Sequence, residues 1–271
     1  MTPDFASPDP TVSTLRRSRS RIRSIVTSAL NDGRIGLAWQ PVLRCDSKGM
    51  IAFHEGLMRL RLPSGEVLRA SSFIDEVENT PLGSELDREA LRITLQLLSA
   101  DPRVRLSVNI SASTMLDMEW NAILADAAAR EPELPERLIV ELTERGAMRD
   151  PDSTIDFLAR NRKLGCAFAI DDFGAGQTAF AYFRRFRFDM VKIDGEFIRD
   201  LHRNPDHAVL VEVLVRLAQH FDMLTVAEFI ENADEARAAA ALGVDCLQGY
   251  YCGHAGDAPI LLDTALRRAV S

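Results

Sequence analysis

Residues 166–194 read CAFAIDDFGAGQTAFAYFRRFRFDMVKID. An apolar run up to Ile170 meets two adjacent aspartates and a glycine-rich turn; a stretch of helical spacing, QTAFAYFRRF, then leads to a second apolar run, FDMVKID. Two short apolar runs bridged by a helix read as parallel neighbours in one sheet. Successive strand residues point to opposite faces, so Asp171 and Asp172 cannot share a direction while the ladder continues, and the strand is expected to end at Asp171. Both carboxylates then stand at the strand's C-terminal rim.

The same texture continues outward in both directions. Upstream, a helix over 83–99 feeds VRLSVNIS, a helix over 113–129 feeds RLIVELTE, and DSTIDFLARNRKLG feeds CAFAIDD. Downstream, PDHAVLVEVLVRLAQHF feeds MLTVAEF, ADEARAAAALG precedes VDCLQGYY, and APILLDTALRRAV closes the chain. Before all of these, RIGLAWQPVL and MIAFHEGLMRLRL flank a turn at RCDSKG and read as a hairpin. Six parallel strands after a hairpin pair predict a TIM-like (β/α)8 barrel rather than an open sheet, and 271 residues suit one such domain.

The composition, 46% hydrophobic and 27% charged, is that of a soluble globular chain with a full core. No apolar run approaches the ~20 residues of a membrane span, and MTPDFASPDPTVS lacks the blocks of a signal peptide, so the expected location is cytoplasmic. Cys45, Cys166, Cys246 and Cys252 form no C-x-x-C pair and are read as reduced. A net charge of −8 argues against a nucleic-acid polymer as partner. The arginines of RRSRSRIR (16–23) read as the solvated face of an opening amphipathic helix, preceded by a loose tail over residues 1–12.

The last residues of the strands are Glu55, Asn109, Glu141, Asp171 with Asp172, Lys192, Glu228 and Gln248. In a (β/α)8 barrel these ends share the face where catalytic groups gather. Taken alone, Glu141 in ELTER reads equally as a ligand or as a helix-capping acid. Charges near 4 Å interact at about 4 kcal/mol even with an effective dielectric near 20, so several acids in one cavity need positive charge among them. Lys192 supplies one charge, and bound cations are implied for the rest. An all-oxygen donor set, without His or Cys, favours Mg2+ or Mn2+ over zinc. HEGLM is no zincin motif, since Met58 stands where a second His is required, and His54 reads as structural. Two adjacent acids suit a pair of ions about 3.5 to 4 Å apart, the arrangement that activates water for displacement at phosphorus. GAGQTA (174–179) matches a dinucleotide fingerprint, but two carboxylates before the first glycine would repel a pyrophosphate.

With these residues assembled, the chain resembles the EAL-domain family, bacterial phosphodiesterases that linearise cyclic di-GMP. The resemblance rests on QPV at Gln40, EGLMR at Glu55, SVNIS, ELTE, DDFGAG, KID, AEFIE and QGYY, and covers residues 13–271. It implies a barrel with one antiparallel strand and hydrolysis of cyclic di-GMP to linear pGpG, the alternative being a noncatalytic cyclic di-GMP receptor acting through a partner. It further implies Glu55, Asn109, Glu141 and Asp171 as ligands of one ion, and Asp171, Asp172 and Glu228 as ligands of a second. Lys192 resembles the lysine that orients or deprotonates the attacking water, and Gln248 the glutamine that helps position that water or the substrate. Gln40, Arg59 and Glu231 match substrate-contacting positions, and Glu144 matches a brace of the Asp-Asp loop. Relatives pair through helices near that loop, which implies a homodimer; regulation would come through the opening helix, a protein partner or self-association. Gly56 replaces the family's Ala, Ala175 and Gln177 alter the loop, and Phe229 replaces a Gly, where it would crowd the site or stack on a guanine.

Overall fold

Runs of Val, Ile, Leu and Phe bounded by Gly, Asp and Asn set the strands, and the molecule, seen in a computed structural model, is described over residues 10–46, 49–174 and 185–259. Among these residues nine strands form one sheet: β1 (Ile35–Arg44), β2 (Ile51–Arg61), β3 (Val67–Arg69), β4 (Leu106–Asn109), β5 (Leu138–Thr143), β6 (Ala167–Phe173), β7 (Met190–Ile193), β8 (Leu224–Ala227) and β9 (Cys246–Gln248). Their order is β1-β9-β8-β7-β6-β5-β4-β2-β3, and a further β1–β2 pairing closes eight of them into a barrel, with β3 left as a flap on β2. β1 runs antiparallel to both its neighbours, while the ring from β2 through β9 is parallel throughout. The fold is a TIM barrel with one reversed strand.

Helices α1 (Pro10–Asn31), α2 (Pro81–Ala100), α3 (Met118–Arg130), α4 (Glu144–Arg149), α5 (Pro151–Arg162), α6 (Gly195–Ile198), α7 (Pro205–His220) and α8 (Ala233–Ala241) connect the strands. Their starts follow from the sequence. Pro opens α2, α5 and α7, where its missing N–H costs nothing, and side chains of Asp117, Asp150, Asn204 and Asn232 accept the first backbone N–H groups of α3, α5, α7 and α8. Between helices and barrel lies the main core, in which the rings of Trp120, Phe157 and Phe168 pack in sequence at 5.5 and 6.0 Å. Among the described residues no helix is long and apolar enough to cross a membrane.

The structure corrects several boundaries. β6 does not stop at Asp171: it shifts register between Ile170 and Phe173, and Phe173 then rejoins Ile193 on β7. Asp172 absorbs the irregularity at φ 54, in the left-handed region that Asp tolerates better than most residues. The helix expected over 113–129 is divided, because the Asp117 side chain caps α3 after a 3-10 turn over Ala112–Leu116. α1 already includes residues 10–12, expected in the loose tail, while β3 and α4 were not foreseen. The expected helix over QTAFAYFRRF, the positions Ala175 and Gln177, and the closing helix fall wholly or largely outside the described residues.

That 3-10 turn is tied to α2 by a buried carboxylate. Asp87 accepts the Ser111 N–H and hydroxyl, each at 2.8 Å, and the Thr114 hydroxyl at 2.6 Å, just past the end of β4. Burial pushes its pKa up, and these three donors oppose the shift. Asp87→Leu strands all three donors and is expected to cost about 2–4 kcal/mol in urea denaturation, whereas Asp87→Asn keeps an acceptor and loses far less. Equal midpoints for the Leu variant and the wild type would rule this brace out.

Inside the barrel sits a separate apolar layer of Val42, Phe53, Ile139, Ala169, Met190, Val226 and Cys246, contributed by seven strands. Strand side chains repeat every second residue on one face. The residues two places further toward the C-terminal rim are therefore Glu55, Glu141, Asp171, Lys192, Glu228 and Gln248, and on the reversed β1 the equivalent step leads back to Gln40. The polar set is the next layer of the barrel, stacked directly on the apolar one.

Candidate active site

At the centre of this layer stands Lys192, fully buried on β7. Its Nζ lies 2.8 Å from Glu141, 2.9 Å from Glu228, 3.1 Å from Asp171 and 3.2 Å from Glu55. Four strands thus deliver four carboxylates to one ammonium. Burial alone would depress the Lys192 pKa, but Asp171, Glu141, Glu228 and Glu55 together hold it well above its ordinary value. Glu141 does not cap a helix: it is wholly buried beside Lys192, and α4 is capped by the Thr143 hydroxyl, which accepts the Gly146 N–H at 3.1 Å.

One ammonium cannot neutralise the set, and the carboxyls show it. Burial, reinforced by Glu55 and Asp171 against the pull of Lys192, pushes Glu141 up to about 8. Burial and the Asp171 charge likewise raise Glu228 well above the carboxylate range. Burial, then Asp171 and Asp194, take Asp172 up to about 6. Glu55 goes the other way: burial pushes it up, but Lys192, Gln248 and Asn109 outweigh that and lower it. Asn109 donates to Glu55 Oε1 at 2.7 Å, and Gln248 donates to Glu55 Oε2.

The carboxylates fall into two groups of three that share one member. Oxygens of Glu55, Glu141 and Asp171 lie within 4.8 Å of one another, as do those of Asp171, Asp172 and Glu228. A buried Glu141 oxygen, Oε1, has no hydrogen-bond partner among the described residues. All-oxygen donors, crowded and short of positive charge, fit hard divalent cations.

The other sequence-derived positions are distributed around this centre. Gln40 receives Gln248 Nε2 at 3.5 Å and donates to the Gly253 carbonyl at 3.1 Å. The Glu144 carboxylate accepts the Gly174 N–H at 3.2 Å, pinning the turn after Asp172. Arg59 folds back on its own strand, donating to the carbonyls of Met58 at 2.9 Å and Leu57 at 3.3 Å. Glu231 is held through its backbone N–H, which the buried Glu235 accepts at 2.9 Å while its other oxygen takes the Asp200 N–H at 3.1 Å. Glu235 was not singled out from sequence; on an Ala-rich helix it reads as an ordinary solvated acid, and only the fold turns it inward to tie two loops together.

Two departures from the family pattern have local causes. Gly56 lies under Trp39, and a methyl there would approach its ring and the Ser107 carbonyl to 3.0 Å, so the indole occupies the room an alanine would need. Phe229 adopts φ 54 beside Glu228 and is 59% exposed. It fits only because Gly195 faces it without a side chain: a Cβ there would fall 2.5 Å from the Phe229 ring. With Asp194, Glu196 and Arg199 the ring walls a cavity of about 410 Å3. A second cavity of about 400 Å3, lined by Leu57, Ile74, Val108, Asn109 and Arg145 among others, adjoins Gly56 and Thr143.

The EAL domain family matches residues 23–255. The chain belongs to this family. It is 31% identical over 205 residues to Cyclic di-GMP phosphodiesterase PdeF of Escherichia coli K12, an alignment spanning 74% of this chain and 27% of that protein. It is 28% identical over 245 residues to Cyclic di-GMP phosphodiesterase PdeB of Shewanella oneidensis, covering 89% of this chain and 28% of the relative. The chain therefore spans under a third of the length of these two relatives. Among solved structures, the PaMucR phosphodiesterase in complex with c-di-GMP superposes with a TM-score of 0.77 at 28% identity, covering 88% of this chain and 98% of the other. The FimX EAL domain from Pseudomonas aeruginosa bound to c-di-GMP shares the fold, with a TM-score of 0.81 at 23% identity over 88% of this chain and 97% of that one.

Proposed function

We propose that this EAL domain is a phosphodiesterase that opens cyclic di-GMP to linear pGpG with the aid of two divalent cations, Mg2+ or Mn2+. The observation that carries the reading is the pair of carboxylate groups sharing Asp171 around a buried ammonium. The names of the relatives and the family membership support the same substrate. Glu55, Asn109, Glu141 and Asp171 would hold one cation, and Asp171, Asp172 and Glu228 the other. Such ions supply a lowered water pKa and neutralise charge developing on the phosphoryl oxygens.

The chain's own residues account for the rest of the chemistry. Lys192, kept charged by its four carboxylates, holds positive charge within reach of the attacking and phosphoryl oxygens. Gln248 and Gln40, linked side chain to side chain at the seam of β1 and β9, orient the water or the ester. The Glu144 contact to Gly174 keeps Asp172 aimed at the rim. The cavity of about 400 Å3 lined by Leu57, Val108 and Asn109 opens beside the centre and would receive a base of the substrate.

Chromatography of cyclic di-GMP incubated with the purified chain tests the reading. Stoichiometric conversion to pGpG is expected with Mn2+ or Mg2+ and none with EDTA. Tight binding without conversion in either metal would replace the hydrolase by a receptor.

A further inference from the structure

β2 carries Glu55, Leu57 and Arg59 on one face, so Arg59 projects above the carboxylate layer. Its guanidinium turns back to the Leu57 and Met58 carbonyls, about two residues or ~7 Å of strand from the level of Glu55. Directly across the ladder, Arg59 is paired with Arg69 on the flap strand β3. Like charges placed opposite each other on two strands destabilise a sheet. Neither guanidinium forms an ion pair among the described residues; Arg69 reaches only the Tyr250 hydroxyl, at 3.5 Å. Burial, and then the charge of Arg69, depress the Arg59 pKa. Tyr250 lies two residues beyond Gln248, which touches Glu55, and its ring contacts His254 at 4.7 Å, next to the Gly253 carbonyl that holds Gln40. An uncompensated cationic pair is thus joined to the reaction centre through both β2 and the segment after β9.

Resting on the reading of cyclic di-GMP as substrate, we propose that Arg69 completes, with Arg59, a seat for the phosphodiester that is not being cleaved. A cyclic dinucleotide carries two phosphodiesters, each with one negative charge, and only one can lie at the carboxylate centre. The other must be received by a group of opposite charge or lose its hydration without compensation. Arg69 is then an affinity-determining residue, and the like-charge pairing that weakens the flap is a cost carried for binding.

The test combines equilibrium dialysis of labelled cyclic di-GMP in EDTA, steady-state kinetics in Mn2+ and thermal unfolding for Arg69→Ala, Arg69→Glu and Arg69→Lys. Arg69→Ala is expected to raise Kd and KM about tenfold and Arg69→Glu by about a hundredfold, with Arg69→Lys close to wild type and kcat within about threefold throughout. Relief of repulsion should leave the Tm of Arg69→Ala unchanged or higher by about 1–2 °C, opposite to what a merely structural residue would give. The proposal is overturned if Kd and KM stay within twofold in Arg69→Ala, or if weaker binding comes with a lowered Tm. Should the wild type bind without cleaving, the hydrolase reading falls while Kd still judges the seat. Should it not bind at all, both fall.

Discussion

Asp171→Ala is expected to lower turnover of cyclic di-GMP by at least about a thousandfold while leaving the apo-protein as stable as wild type or more so. The two halves of this expectation come from one geometry. Asp171 is the member common to both carboxylate groups, so on the proposed reading its loss would damage both cation sites at once. Losing several kcal/mol of charge stabilisation at phosphorus corresponds to three or more powers of ten in rate, at about 1.4 kcal/mol for each. In the absence of cations the same carboxylate is one of four crowding Lys192, and its charge helps to push Glu228 and Glu141 above their ordinary range. Removing it relieves repulsion and leaves the ammonium three partners at 2.8 to 3.2 Å. Isothermal titration with Mn2+ should show fewer than two ions bound, and a thermal scan should show the Mn2+-induced rise in Tm much reduced. Activity within tenfold of wild type would remove the shared-ligand assignment.

What the sequence made legible, and what it hid, follows from the range of the interactions involved. Period-two patterning is local, so the runs leading to Glu141, Lys192 and Gln248 announced strands with polar tips, while Glu55 lies within β2, which continues to Arg61; the alternation of runs with helices announced the barrel. Stacking of the polar layer on Val42, Phe53, Ile139, Ala169, Met190, Val226 and Cys246 repeats the same two-residue step on each strand. The register shift at Asp172 was out of reach, because alternation alone says that two adjacent acids cannot continue a regular ladder, and a strand end and a bulge satisfy that equally. Division of the helix expected over 113–129 depended on Asp117 choosing a cap, and its neighbours on the distant Asp87. Glu235 and the Arg59–Arg69 pairing were invisible for the same reason: their meaning lies in a partner 35 residues away, Asp200, or across a hairpin, where no local pattern reports them.

Lys192→Met should be the most destabilising single change at the site, and divalent cations should partly reverse it. The methionine matches the lysine's length, so packing is largely kept and the loss is electrostatic. Four carboxylates, three of them nine-tenths or more buried, would be left around an apolar side chain with no cation among them. Breaking a buried ion pair by deleting one partner costs about 3–5 kcal/mol, which for a chain of this size lowers Tm by roughly 10 °C. Saturating Mn2+, bound to the folded state as proposed, would return the missing positive charge, so the gap to wild type should narrow in its presence. Turnover should not return with stability. Among the described residues Lys192 Nζ is the one ammonium reaching Glu55, Glu141, Asp171 and Glu228 together, and loss of a group that moves or stabilises a proton typically costs a factor of about a hundred to ten thousand. A Lys192→Met protein as stable as wild type in EDTA would show that the carboxylates neutralise themselves by protonation; one restored to full activity by Mn2+ would show that the lysine serves folding alone.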